Sequence, residues 1–180
     1  MNRSTKDTKD VLTDIPSFIK DMKLPVKSQV EGRRRATVYS EAIMDFHTVD
    51  IQVTYFKDHG VLGIRLTSWH TVGEDRIMRL ISFLNYINSI FMDIGCFCLQ
   101  PVTGKVTLRT GYGVIEGRID KDQFTQTLCR LISQAYRGFQ FTARAVFEAV
   151  SIEEVINDEL RRMGSRETAP HCAYITDHIN

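Results

Sequence analysis

The stretch from Ile77 to Arg137 constrains this chain most: two amphipathic helical patterns flank a short β-prone hairpin, and their apolar stripes differ in width. Between Glu74 and Phe91, the residues Ile77, Leu80, Ile81, Leu84, Ile87 and Phe91 recur at helical spacing, and Phe83 and Ile90 widen the face. Apolar side chains then cover roughly half of the circumference, against the stripe of about 100° that a surface helix usually buries. So broad a helix has more to bury than one sheet can cover. It points to a second partner, and hence to a protein that works by contact.

The second helix has clear punctuation. Asp120 stands as N-cap with Gln123 three residues on, a capping-box arrangement. Phe124, Leu128, Leu131 and Ala135 form its stripe, and Phe139, Ala143, Val146 and Val150 continue it past Gly138, at a local cost of about 1 kcal/mol relative to Ala. Ser151 with Glu154 repeats the capping signal and opens a shorter helix over Ile152 to Met163, which Gly164 can end. Between the two long helices, Ile94–Leu99 and Lys105–Tyr112 read as strands joined across Pro101 and Gly104.

Upstream, the pattern has period two. Thr37–Met44, then Val49, Ile51, Val53 and Tyr55, then Leu62, Ile64 and Leu66 describe a three-stranded antiparallel meander, with Lys57-Asp58-His59-Gly60 as a tight turn. Before it, Val11, Ile15, Phe18, Ile19 and Met22 mark a first helix capped by Asp10, in which Pro16 is awkward. The fold class is therefore α+β: helix, three strands, helix, two strands, helix, plus an extra C-terminal helix. The expected organisation is a disordered tail over residues 1–10, a domain over 11–150, a C-terminal helix over 151–164 and a tail over 165–180.

Charge and composition exclude several classes. An apolar share of 43% with ten Phe supports a packed core. The 23 basic and 22 acidic side chains give a net charge of +1, with no overall pull towards nucleic acid or anionic membrane. No run approaches 18 apolar residues, so no spanning helix is expected, and the polar N-terminus lacks a secretory apolar stretch. A cytoplasmic chain with free thiols is the simpler reading of its four cysteines.

The candidate sites are few. Arg33-Arg34-Arg35 forms a weak anion patch, since residues 1–35 carry nine Lys/Arg against five Asp/Glu, but a solvated loop before a strand accounts for it better than nucleic acid does. Cys96 and Cys98 share one face of a strand and could meet a soft metal with His171, Cys172 or His178. C-x-C is not a structural-zinc spacing, so core packing is the expectation for them and for Cys129, with no metal and no cofactor. The glycines at 111, 113 and 117 do not lead directly into a helix and are turns, not a phosphate loop. His47, His59 and His70 are isolated in sequence, and Trp69-His70 reads as an aromatic cap. No nucleophile, metalloprotease or Walker motif occurs, so no enzyme is expected.

The stretch RLISFLNYINSIFMDIGCFCLQPVTGKVTLRTGYGVIEG and the following DKDQFTQTLCRLISQAYRGFQFTARAVFEAV carry a family resemblance. With the Leu84-Asn85 and Ile87-Asn88 pairs and the Gly104 turn before Val106, Leu108 and Arg109, the region from Val11 to Val150 resembles the YbjN-type family of bacterial sensory transduction regulators, within the type III secretion chaperone-like fold. The resemblance implies a homodimer that binds other polypeptides. Combined with the broad helix, it places the partner or dimer surface at Phe83, Ile87, Ile90 and Phe91. A rival reading is a small-molecule or enzymatic pocket between sheet and helices, lined by Trp69, His70, Tyr112 and the cysteines.

Overall fold

The computed structural model describes residues 5–90, 92, 94–115, 117–148 and 151–164. Four strands run in succession after the first helix: β1 (Val26–Glu31), β2 (Arg35–Met44), β3 (His47–Phe56) and β4 (Val61–Thr71). A short 3₁₀ turn (Glu74–Arg76) leads into α2 (Ile77–Ile90), and the hairpin β5 (Cys96–Gln100) and β6 (Lys105–Gly113) follows. The first helix, α1, spans Thr5–Asp21; the chain closes with α3 (Lys121–Phe147) and α4 (Ile152–Gly164). All six strands form one antiparallel sheet in the order β1-β2-β3-β4-β6-β5. The hairpin therefore enters with its second strand first, β6 beside β4, and leaves β5 at the edge.

Alternation decides which face is covered. Val49, Ile51, Val53 and Tyr55 of β3, Leu62, Ile64 and Leu66 of β4, Leu108 of β6 and Phe97 of β5 are all buried on the helix side. There α3 lies over β4, β6 and β3, α1 over β2 and its neighbours, and α2 over β5 and against α3. The opposite face carries Tyr39, Gln52, Arg65 and Arg109 in one cross-strand row, and Glu41, Asp50, Thr67 and Thr107 in the next.

Three local expectations change. The meander has four strands, because β1 forms where a loop is expected; as an edge strand it is wet on both faces and shows no alternation to read. The first helix starts at Thr5, so Thr5–Asp10 are helical instead of a tail and Asp10 is no cap. Pro16 thus sits well inside α1. It removes the N–H that would bond Leu12 O. Gln29 of β1 turns its amide towards that carbonyl at 3.5 Å.

The long helix starts and runs past Gly138 as expected, but Thr142 and Ala145 are buried where Ala143 is the expected stripe residue, and Val150 lies outside the described residues. Asp120 accepts from Gln123 N at 2.7 Å, and the helix continues unbroken through Gly138 to Phe147. The reason is tertiary. A Cβ built on Gly138 would lie 2.1 Å from Cζ of Phe97, so the glycine is a notch that admits the Phe97 ring. Its far end is held by Arg76, which donates to Val146 O and lies over the Phe147 ring, a cation at the negative end of the helix. In α4 the second capping box is complete: Ser151 N donates to Glu154 at 2.7 Å and Glu154 N to Ser151 Oγ at 3.1 Å. Val155 and Ile156 of α4 join the core.

Candidate interaction surfaces

The broad helix divides its apolar residues between two environments. Leu80, Phe83, Leu84 and Ile87 are buried in the chain's own core, Phe83 at 1% and Ile87 at 3% exposure. These two are therefore corrected from partner surface to core: β5, the inner sheet face and α3 together cover more of α2 than a sheet alone would. The Ile90 side chain and Phe91 lie outside the described residues. The surplus falls elsewhere, on Met78 at 74% exposure and Ile81 at 38%. Sequence spacing detects an excess of apolar residues on a helix but does not tell which edge of the stripe is left over.

Asn88 of α2 reaches the edge of the sheet. Its amide donates to Phe97 O at 2.8 Å and accepts from Phe97 N at 2.7 Å. Because β5 pairs with β6 alone among the described residues, these are groups on its outer edge, and the asparagine acts as a short surrogate strand. Ile77 and Ile81 stand eleven and seven residues before Asn88, on the same flank of the helix. Of the exposed apolar residues, Ile81 shares that flank, whereas Met78, ten residues before Asn88, stands about 80° round the helix; Asn88 itself closes the centre of the outer edge of β5 to strand addition. Contact here is by side chains. Replacing Asn88 by Ala is expected to cost about 1–3 kcal/mol, because two backbone groups lose their partner; urea unfolding reads the loss, and an unchanged midpoint would mean that water replaces the amide freely.

Trp69 and His70 form an aromatic cap, as expected, and His47 is drawn into it. The His47 ring stacks on Trp69 at 4.3 Å, Trp69 meets Tyr136 and Phe139 of α3, and the His70 ring lies edge-on to Phe147. The histidines are isolated in sequence but not in space, because the turn between β2 and β3 stands beside the end of β4. Thr142 donates to Phe139 O at 2.9 Å, which leaves its oxygen to accept from His70 Nε2 at 3.1 Å. That assigns the Nε2–H tautomer and leaves Nδ1 buried without a partner. Burial, helped by His47 and Lys105, lowers the His70 pKa to about 4. An unfolded His70 takes its proton near pH 6.5. Stability contributed by the neutral ring is therefore complete above that value and is lost as pH falls towards 4. The expected loss between pH 7 and pH 4.5 is about 1–2 kcal/mol after allowance for partial solvent access. Urea midpoints at pH 7 and pH 4.5 measure it, with His70→Phe expected to flatten the difference.

The residues of the rival pocket do not converge. Tyr112 pairs with Leu62 at the far end of β4, away from Trp69 and His70. Burial pushes its hydroxyl up to about 12, and that hydroxyl has no partner. Cys96 and Cys98 lie on the other face of the sheet. Cys96 is exposed and Cys98 half-buried, so they are not core residues as expected; Cys129 is half-buried on α3. Among the described residues, no strand lies beyond edge strand β5 and no helix covers that face. His171, Cys172 and His178 lie outside the described residues, and no group of three or more metal-ligating side chains occurs among the described ones.

Arg33, Arg34 and Arg35 are exposed at the β1–β2 turn. Carboxylates stand among them: Arg34 faces Asp58 at 3.7 Å, and Lys57 binds Glu31 at 2.7 Å. The local positive surplus is thereby partly neutralised. No helix among the described residues is long and apolar enough to cross a membrane.

No family model and no curated protein matches the chain. The likeness to the YbjN-type family is accordingly not supported. Among solved structures, the chain is similar to one described as "Crystal Structure of the ExsC-ExsE Complex", with a TM-score of 0.51 and 19% identity over 79% of this chain and 98% of that one. The fold is type III secretion chaperone-like. At this identity the likeness extends to the architecture alone: an antiparallel sheet with its helices on one face.

Proposed function

We propose that this chain is a non-enzymatic protein-interaction domain, chaperone-like or regulatory, which self-associates and binds other polypeptides. The observation that carries the reading is the exposed apolar pair Met78 and Ile81 on α2, the helix that packs on edge strand β5, itself closed at its centre by Asn88. Such a pair is satisfied by side-chain packing against another surface. The structural neighbour, solved as a complex of two proteins, supports a role in contact with polypeptides.

Self-association through Met78 and Ile81 replaces the surface expected at Phe83 and Ile87. A stable dimer buries on the order of 1,200–2,000 Å² in total, so the pair would need its neighbours on the 3₁₀ turn and β5 as well. The test has two readings. Sedimentation of the purified chain at micromolar concentration is expected to show a dimer. Capture from the native cell, followed by rebinding of the identified polypeptide in purified form, is expected to give a defined complex. A chain that stays monomeric and rebinds no polypeptide removes the proposal.

A further inference from the structure

Cys96 and Cys98 stand two residues apart on β5 with their sulfurs 3.6 Å from each other. Both project from the sheet face that no helix covers among the described residues, and Cys96 is exposed. A disulfide requires about 2.05 Å between sulfurs. Two thiolates on one metal, with bonds of about 2.3 Å, stand roughly 3.8 Å apart at a tetrahedral angle and roughly 4.3–4.6 Å apart nearly in line. The reduced pair thus needs to open by about 1 Å to hold a two-coordinate ion.

The charges around the pair select among soft ions. Arg109 is the cross-strand partner of Cys96, and Arg65 is the cross-strand partner of Arg109. Arg109 Nε donates to Thr107 Oγ1 at 3.2 Å, and Thr107 is the partner of Cys98, so the guanidinium turns towards both cysteine rows. Two like charges face each other across β4 and β6, an arrangement that costs stability on its own. The carboxylates in these rows are Asp50 on β3 and Glu41 on β2, and Glu41 is paired with Lys27. Burial raises the Cys98 thiol, and both arginines pull it the other way. A dithiolate holding a monovalent ion keeps one negative charge, which the arginines favour; with a divalent ion it keeps none.

We propose that Cys96 and Cys98 form a bidentate site for a soft monovalent d¹⁰ metal ion, Cu(I), held against the Arg65–Arg109 pair. Thiolates prefer Cu(I) by softness. On binding, two S–H groups release their protons to solvent and two Cu–S bonds form, with no change in oxidation state.

The test uses the full chain with C129S and C172S, under anaerobic reducing conditions. Cu(I) is presented as its coloured bicinchoninate complex, and loss of colour reports transfer to the protein. One ion per chain is expected, with C96S and C98S each weakening binding by roughly 10²-fold or more because the chelate is lost. R109Q is expected to weaken Cu(I) binding several-fold and to leave a neutral trivalent arsenical, phenylarsine oxide, bound as before. Circular dichroism checks that each variant is folded, and C96S alters only an exposed side chain. If either single serine variant holds Cu(I) as tightly as its parent, the site is not a chelate and the proposal fails. Equal or tighter binding of Zn(II), or unchanged Cu(I) affinity in R109Q, likewise overturns it.

Discussion

Truncating Phe97 to Ala is expected to destabilise the protein by about 3–5 kcal/mol, the range for removing a buried aromatic ring. Phe97 is buried and meets Phe139 edge-on at 5.9 Å, and its ring tip lies over the backbone of Gly138. The converse substitution decides whether the notch matters. On helix propensity alone, Gly138→Ala would stabilise α3 by about 1 kcal/mol. The new methyl would instead collide with three Phe97 ring atoms, at 2.1 to 2.8 Å. A buried ring clasped by Asn88 through its backbone has little room to retreat, and overpacking of this kind costs about 1–3 kcal/mol. A net loss is therefore expected for Gly138→Ala. Combining it with Phe97→Leu is expected to recover part of that loss, a coupling that a double-mutant cycle isolates. Urea denaturation of the four proteins measures every term; a Gly138→Ala variant at least as stable as its parent would show that the ring moves aside at little cost.

The second large effect concerns assembly. Met78→Asp with Ile81→Asp is expected to lower the urea midpoint only modestly, and mainly through Ile81, because Met78 is exposed and Ile81 partly so in the single chain. It is expected to abolish the dimer. An unpaired charge buried at an interface costs about 3 kcal/mol or more, over a hundredfold in Kd. Phe83→Asp is expected to behave in the opposite way, unfolding the chain before any effect on association can be read, since Phe83 is core. Sedimentation velocity with circular dichroism distinguishes these outcomes. A double aspartate variant that remains dimeric at unchanged stability would move the interface off α2 altogether.

Much of the fold is legible because local rules and tertiary structure agree. Asp120 with Gln123, and Ser151 with Glu154, are contacts three residues apart, so their chemistry is complete within the segment that displays it. The period-two runs of β2, β3 and β4 are legible because one face of the sheet is mainly apolar and the other mainly polar, even where Thr37, Thr54 and Thr107 are buried. Where that contrast is missing, as in β1, no pattern exists to read. Pro16 misleads for a related reason: its penalty is local, whereas the amide of Gln29 that turns towards Leu12 O comes from another element.

The interaction surface is the least legible part. By itself the sequence determined that α2 carries an apolar surplus, that the hairpin after it turns at Gly104, and that Cys96 and Cys98 share a face, because helical and strand periods place side chains without reference to the rest of the chain. Tertiary structure alone decided that β6 enters the sheet before β5. That order makes β5 an edge and sets α2 over it with α3 alongside. It turns Phe83 and Ile87 inward, leaves Met78 and Ile81 outside, and exposes the cysteines beside two arginines. Which flank of a helix is covered depends on what lies next to it, and neighbours far apart in sequence are chosen by the sheet's strand order, which no periodicity within α2 encodes.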